Sequence, residues 1–148
     1  MLKTSLLVDD ESLFHLVFED ACHIFDINVK LTTVDSTDKA EQLLVDLKSK
    51  PDKQPDCIFV DYNVLGSTFD GVELIRRARV LFANSIVMGI VSSSADLAEQ
   101  EKAKAAGAQF WIVKSEIIED RLIAFKKDFP HFKDGSLGYK FYPVDYSE

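Results

Sequence analysis

The chain has 148 residues, 47% of them hydrophobic and 28% charged, with a net charge of −8. That size and apolar share fit one globular domain with a sizeable core rather than a disordered segment. The acidic balance and the lack of a long basic run argue against nucleic acid, whose binding rests on phosphate neutralisation, and against an anionic membrane surface.

Met1 to Val8 holds one lysine and a short apolar run, too short for a signal peptide or a membrane span. Within it, Ser5-Leu6-Leu7-Val8 reads as a strand buried on both faces, ending at Asp9-Asp10-Glu11. Phe14, Val17, Phe18, Ala21 and Phe25 then follow a helical stripe, with Asp10 or Ser12 as its cap. Val29, Leu31, Thr33 and Val34 give a second, more exposed strand, and Ala40, Leu43, Leu44 and Leu47 a second helix. Pro51 and Pro55 follow, and proline cannot continue a helix.

The third strand, Cys57-Ile58-Phe59-Val60, stops abruptly at Asp61. A charge buried unpaired inside an apolar strand would be very costly, so Asp61 is expected at the strand's C-terminal tip. The loop Tyr62 to Phe69 contains Gly66 and Ser67, which lend it freedom, and Asp70-Gly71 opens a third helix striped by Val72, Ile75, Ala78 and Phe82. Ile86 to Val91 is a fourth buried strand, ending in Ser92-Ser93-Ser94. Ala95 to Ala106 is helix-forming but weakly amphipathic, with Leu97, Ala98 and Ala105 as poor anchors and Gly107 as its stop. Gln109 to Val113 is a fifth strand, ending at Lys114; Ile118, Leu122, Phe125 and Phe129 stripe a last helix up to Pro130. The tail from His131 keeps Phe132, Tyr139, Phe141, Tyr142 and Tyr146, too many aromatics for a flexible linker. Tyr139 to Tyr146 is therefore expected to pack on this domain or on a second copy.

Five βα units in succession imply a doubly wound α/β fold, a parallel sheet covered on both faces with right-handed crossovers. Cys22 and Cys57 lie in apolar runs without ligand spacing and read as reduced core residues of a cytoplasmic protein. His15, His23 and His131 show no metal spacing.

In a parallel sheet all strand tips lie at one edge, where ligands bind in open α/β folds. Asp9 and Asp10, Asp61, Ser92 and Lys114 would meet there. Two carboxylates about 4 Å apart repel by roughly 4 kcal/mol at an effective dielectric near 20, so the cluster calls for a cation or a raised pKa. Carboxylates, a carbonyl and waters suit Mg²⁺. With a lysine and a hydroxyl alongside, the set is built to receive a phosphoryl group on a carboxylate nucleophile.

In these motifs, from about Leu2 to Phe129, the chain resembles a response-regulator receiver domain of two-component signalling. The resemblance implies a flavodoxin-like, three-layer (βα)5 sandwich with a five-stranded parallel sheet of order 2-1-3-4-5. It implies a receiver over residues 1–129 and an aromatic-containing tail over 130–148, with too little chain for a separate output domain. Asp61 matches the phosphorylated aspartate, Asp10 the direct Mg²⁺ ligand, Asp9 a ligand acting partly through water, and Asn63 the residue giving its backbone carbonyl to the metal. Ser92 matches the switch hydroxyl, Lys114 the lysine that pairs with the phosphoryl group, and Trp111 the switch aromatic, where Tyr or Phe is usual. Since tryptophan is larger, its inward position is expected to be harder to fill. The implied partners are a histidine kinase or histidine phosphotransfer protein and a downstream protein on the face of helix four, strand five and helix five. Pairing of two copies stays open. Leu65 stands where the family often has proline, the loop after Asp61 is longer than usual, and Ser115 replaces the proline that normally follows the lysine.

Such a domain is a signalling phospho-acceptor rather than an enzyme, with at most slow self-catalysed phosphoryl transfer and autodephosphorylation. One alternative is a receiver-like scaffold that binds partners without phosphorylation. The other, an aspartate-based phosphohydrolase, typically carries a second acid two residues after its nucleophile, where this chain has Asn63.

Overall fold

Each strand of the central sheet alternates its side chains between two apolar layers, and that alternation organises the molecule. The computed structural model describes residues 2–27 and 30–145. Among these, the chain forms β1 (Thr4–Val8), α1 (Ser12–Ile24), β2 (Lys30–Val34), α2 (Thr37–Leu47), β3 (Cys57–Val60), α3 (Gly71–Phe82), β4 (Val87–Ser92), α4 (Leu97–Ala106), β5 (Phe110–Val113), α5 (Glu119–Lys133) and β6 (Lys140–Tyr142). A short 3-10 turn at Pro51–Lys53 follows α2. The sheet is parallel throughout, in the order β2-β1-β3-β4-β5-β6.

Leu6, Val8, Ile58, Val60, Met88, Ile90, Trp111 and Val113 face one layer, with residues of α2, α3 and α4. Leu7, Cys57, Phe59, Val91, Phe110 and Ile112 face the other, with α1 and α5. There Phe59 packs against Phe18 at 4.9 Å and Phe110 against Phe125 at 4.6 Å between ring centroids. β2, at one sheet edge, is part-exposed along its length as expected; Val29, assigned to it from the sequence, lies outside the described residues.

Helix starts follow capping chemistry. Ser36, Asp70 and Asp96 each accept an N–H of the first turn, at 3.1, 2.9 and 2.9 Å. α1 departs from the expected cap at Asp10 or Ser12. Its cap position is Glu11, whose N–H donates to Asp9 Oδ1 at 2.9 Å. Gly107 ends α4 in the left-handed conformation, φ +113°, as its place in the sequence suggested. α4 buries only Gln100, Ala103 and Ala106 and leaves Leu97 76% exposed, which confirms its weak anchoring.

The expected (βα)5 order 2-1-3-4-5 is present, extended by a sixth strand where five were expected. Pro130 does not end α5, which runs on to Lys133. The bond lost to proline lies near the helix end, and Phe129 and Phe132 on either side are both buried. After α5 the chain turns back and Lys140–Tyr142 pairs with the open edge of β5, setting Trp111 opposite Phe141. Tyr142 is fully buried, and its hydroxyl reaches Asp128 at 2.6 Å. The Tyr139 hydroxyl donates to Gln100 of α4 at 2.8 Å. The tail thus packs on this domain through residue 142; Tyr146 lies outside the described residues.

Candidate functional site

Because every strand runs the same way, the residues after β1, β3 and β5 come to one edge. Asp9 follows β1 and is fully buried, Asp61 follows β3 and is 8% exposed, and Lys114 follows β5. Backbone bonds lock the levels: Asp61 N–H donates to Val8 at 2.9 Å, and Lys114 N–H to Ser92 at 2.9 Å. The Lys114 ammonium donates to Asp9 Oδ2 at 2.8 Å, to Glu11 Oε1 at 2.5 Å and to Asp61 Oδ2 at 3.1 Å. It also sits 4.7 Å from the centre of the Phe14 ring, a cation–π contact.

Three carboxylates against one ammonium leave an excess of negative charge. Burial pushes the Asp61 carboxyl up to about 6; Asp9 pushes the same way, and the Lys114 charge opposes both. Burial also raises Asp9, against the pull of its bonds to Lys114 and to the Glu11 N–H. For Lys114, burial works against the charged form, but the bonds to Asp9 and Glu11 outweigh it and the pKa rises. Asp9, Glu11 and Asp61 are the acids, among the described residues, whose oxygens lie within 4.8 Å of one another in a group that could hold a metal ion. An all-oxygen, carboxylate-rich set fits a hard divalent cation such as Mg²⁺.

The remaining candidates are placed differently. Asp10, expected beside Asp61, is half-buried and lines a separate hollow with Ser12, His15, Asp35 and Lys39. Asn63 is exposed in the loop before α3. Ser92 ends β4, 5% exposed, its hydroxyl accepting the Ser94 N–H at 3.2 Å. Glu11 was in view only as one of three consecutive acids. The signal for it is local: two residues after Asp9, it places its own N–H on the Asp9 carboxylate, and its side chain turns toward Lys114.

Trp111 corrects the expectation that its inward position would be hard to fill. The indole is fully buried, its N–H donating to the Ser94 carbonyl at 2.8 Å and its ring 5.7 Å from Tyr62. It shares its apolar layer with Ala103 and Ala106, whose small side chains leave it room.

The loop between β3 and α3 is also less free than its Gly66 and Ser67 suggested, because the start of α2 pins it. Thr37 Oγ1 donates to the Phe69 carbonyl at 2.6 Å, Thr37 N–H to Ser67 Oγ at 3.0 Å, and Thr68 N–H to Asp38 Oδ2 at 2.8 Å. Gly71 closes it: a Cβ there would lie 2.1 Å from the Asp61 carbonyl oxygen, so only glycine lets α3 start against the backbone of Asp61. The Lys114–Ser115 peptide is trans.

No protein-family model matches the sequence, and no curated protein does. Solved structures do. The two-component response regulator from Cytophaga hutchinsonii is 22% identical with a TM-score of 0.76, over 88% of this chain and 98% of that one. The CheY-like receiver domain protein from Methanospirillum hungatei is 17% identical with a TM-score of 0.72, over 91% of this chain and 99% of that one. NtrX from Brucella abortus is 22% identical with a TM-score of 0.75, over 92% of this chain; the chain spans 28% of NtrX. At these identities the likeness is one of fold, and the chain is folded as a response-regulator receiver domain.

Proposed function

We propose that the chain is a phospho-acceptor receiver, phosphorylated on Asp61 by a histidine kinase or histidine phosphotransfer protein and signalling through a protein contact. The observation that carries this reading is Asp61 itself: a nearly buried carboxylate at a strand tip, 3.1 Å from a buried ammonium and beside a second buried acid. With its carboxyl near 6, Asp61 is largely ionised at neutral pH and available as a nucleophile. A carboxylate oxygen attacks the phosphorus of phosphohistidine. The P–O bond of an acyl phosphate forms, the P–N bond breaks, and the imidazole leaves with the electron pair and takes up a proton.

In this reading the Lys114 ammonium pairs with the arriving phosphoryl oxygens, and the Ser92 hydroxyl, freed from the Ser94 N–H, donates to one of them. Mg²⁺ would be held by Asp9 and Asp61 with Glu11 as a further carboxylate. Asp10 and the main-chain carbonyl of Asn63, which stand outside that group, would join it only by turning toward it. When bound, the cation supplies the positive charge that lets these acids remain ionised together. The output face of α4, β5 and α5 carries β6, so a partner there meets α4, α5 and the C-terminal strand. Trp111, tied to the Ser94 carbonyl, links Ser92's loop to that face. The receiver unit, set at 1–129 from the sequence, would then extend through β6. Among the described residues no helix is long and apolar enough to cross a membrane, and a phosphohistidine donor would place the protein in the cytoplasm.

The alternative, a scaffold that binds without phosphorylation, is favoured by one observation: Lys114 already bonds all three acids. Intact-mass spectrometry after treatment with phosphoramidate and Mg²⁺ separates the two. One labile phosphoryl group, absent in Asp61→Asn, is the expected result. An unlabelled wild type, or a labelled Asn variant, would overturn the assignment.

A further inference from the structure

Arg121 is 1% exposed, one of the largest fully buried side chains in the molecule. It stands in the first turn of α5, where the helix dipole disfavours positive charge. Its carboxylate neighbour, Asp120, lies 3.3 Å from Nε and is 48% exposed, a weak counter-ion for a buried guanidinium. Burying such a group is costly unless its donors are satisfied, so the bonds it makes show what it is for.

Those bonds converge on one loop. Nη1 donates to the Val113 carbonyl at 2.5 Å. Nη2 donates to Ser115 Oγ at 2.7 Å and to the Ile117 carbonyl. Ser115 Oγ in turn donates to the Ile117 carbonyl at 2.7 Å and accepts the Ile117 N–H at 3.2 Å. The guanidinium therefore grips the chain one residue before Lys114, one after it and three after it. Ser115 has no ring to fix its φ, unlike a proline, so the shape of this loop rests on hydrogen bonds. An apolar side chain would fill the space, but only a planar fork of donors gathers two carbonyls and a hydroxyl at once.

We propose that Arg121 is a positioning residue: by holding Val113, Ser115 and Ile117, it sets the backbone from which Lys114 reaches Asp9, Glu11 and Asp61. Its effect on chemistry rests on the phospho-acceptor reading; its effect on Lys114 geometry does not. The test uses Arg121→Met, Arg121→Lys, Lys114→Met and the Arg121→Met/Lys114→Met double variant, with two readouts. The first is the ¹⁵N signal of the Lys114 ammonium, assigned by its loss in Lys114→Met and held back from solvent exchange by its three carboxylate bonds. The second is the rate at which phosphoramidate labels Asp61.

Arg121→Met, folded by near-ultraviolet circular dichroism, is expected to lose the protected ammonium signal. It should label Asp61 about ten to a hundred times more slowly, the scale of a misplacement of about 1 Å. Arg121→Lys should fail likewise, since one ammonium cannot span the three acceptors. The double variant should label no more slowly than Lys114→Met alone, because both act through the same amine. A wild-type ammonium signal in folded Arg121→Met overturns the proposal, as do rate losses that multiply in the double variant. If Arg121→Met does not fold, Ser115→Ala decides: it removes one acceptor and should weaken the same signal, and an unchanged signal overturns the proposal. An unlabelled wild type defeats the phospho-acceptor reading, and the ammonium signal still decides the role of Arg121.

Discussion

Two regions meet on β5 and are built on opposite terms. At its C-terminal tip, Lys114 sits among three carboxylates, two of them raised in pKa by burial. Along its outer edge, β6 adds a strand whose Tyr142 is fully buried, with its hydroxyl 2.6 Å from Asp128, while Lys140 reaches the same carboxylate at 2.8 Å. At the tip, charge is crowded and stability given up. At the edge, aromatic area leaves water, and the outer edge of β5 is paired. A residue that stabilises the fold and a crowded site carboxylate can therefore be told apart by the sign of their substitution effects.

The comparison breaks most directly at the edge. Tyr142→Ala should cost about 3–5 kcal/mol in urea unfolding, the range for deleting a buried aromatic. A loss below about 1 kcal/mol would show that β6 lends the fold little.

Lys114→Met leaves Asp9 and Asp61 buried without their cation, and removing one partner of a buried pair is strongly destabilising. About 3 kcal/mol should be lost at neutral pH, and much of it regained in acid as the carboxylates protonate. A loss that does not change with pH would mean that the ammonium acts through packing alone.

Asp61→Asn should act in the other direction. Its folded pKa, about 6, lies above the unfolded value near 3.9. Between those values the folded state binds more protons than the unfolded one, so the Asp61 contribution falls as pH rises through the window. The cost is complete above about pH 6 and absent below about pH 4. The Asn variant should therefore gain roughly 3 kcal/mol at pH 7, shrinking to nothing near pH 4. Denaturant titrations at the two pH values check this, and a destabilised variant at pH 7 would place Asp61 on the stabilising side.

The smallest expected effect sharpens the comparison. Tyr139→Phe removes one hydrogen bond to Gln100 and should cost about 1 kcal/mol. Hydrogen exchange should then quicken at residues 97–106 of α4, whose buried face is small, without altering exchange at β1 or β3. Unchanged exchange in α4 would show that Tyr139 does not tie it down.

Much of the fold was legible because buried strands and amphipathic helices write different periods into the chain. A continuous apolar run ending in one charged residue, as at Val60-Asp61 and Val113-Lys114, places that residue at a strand tip, since the run can be buried only if the charge is not. Gly107 was readable for a similarly local reason, a left-handed helix end. The meeting of Asp61 with Lys114 at one sheet edge and the weak anchoring of α4 follow from such signals, while the order 2-1-3-4-5 was implied by the resemblance to receiver domains.

Other features were decided by tertiary structure alone. Three residues, Lys140 to Tyr142, are too few to show a period, and they form a strand because β5 offers an unpaired edge. Pro130 stays inside α5 because Phe129 and Phe132 gain more from burial than the helix loses in one bond. Among the consecutive acids Asp9, Asp10 and Glu11, no pattern says which faces the lysine; the backbone turn into α1 points the first and third toward Lys114 and leaves Asp10 in a different hollow. Arg121 reads as one more charge on an amphipathic helix, and its burial against the loop carrying Lys114 arises only when α5 docks on the sheet. Apolar periodicity survives in sequence because it is local; the pairing of particular polar groups does not, because each depends on where a distant element comes to rest.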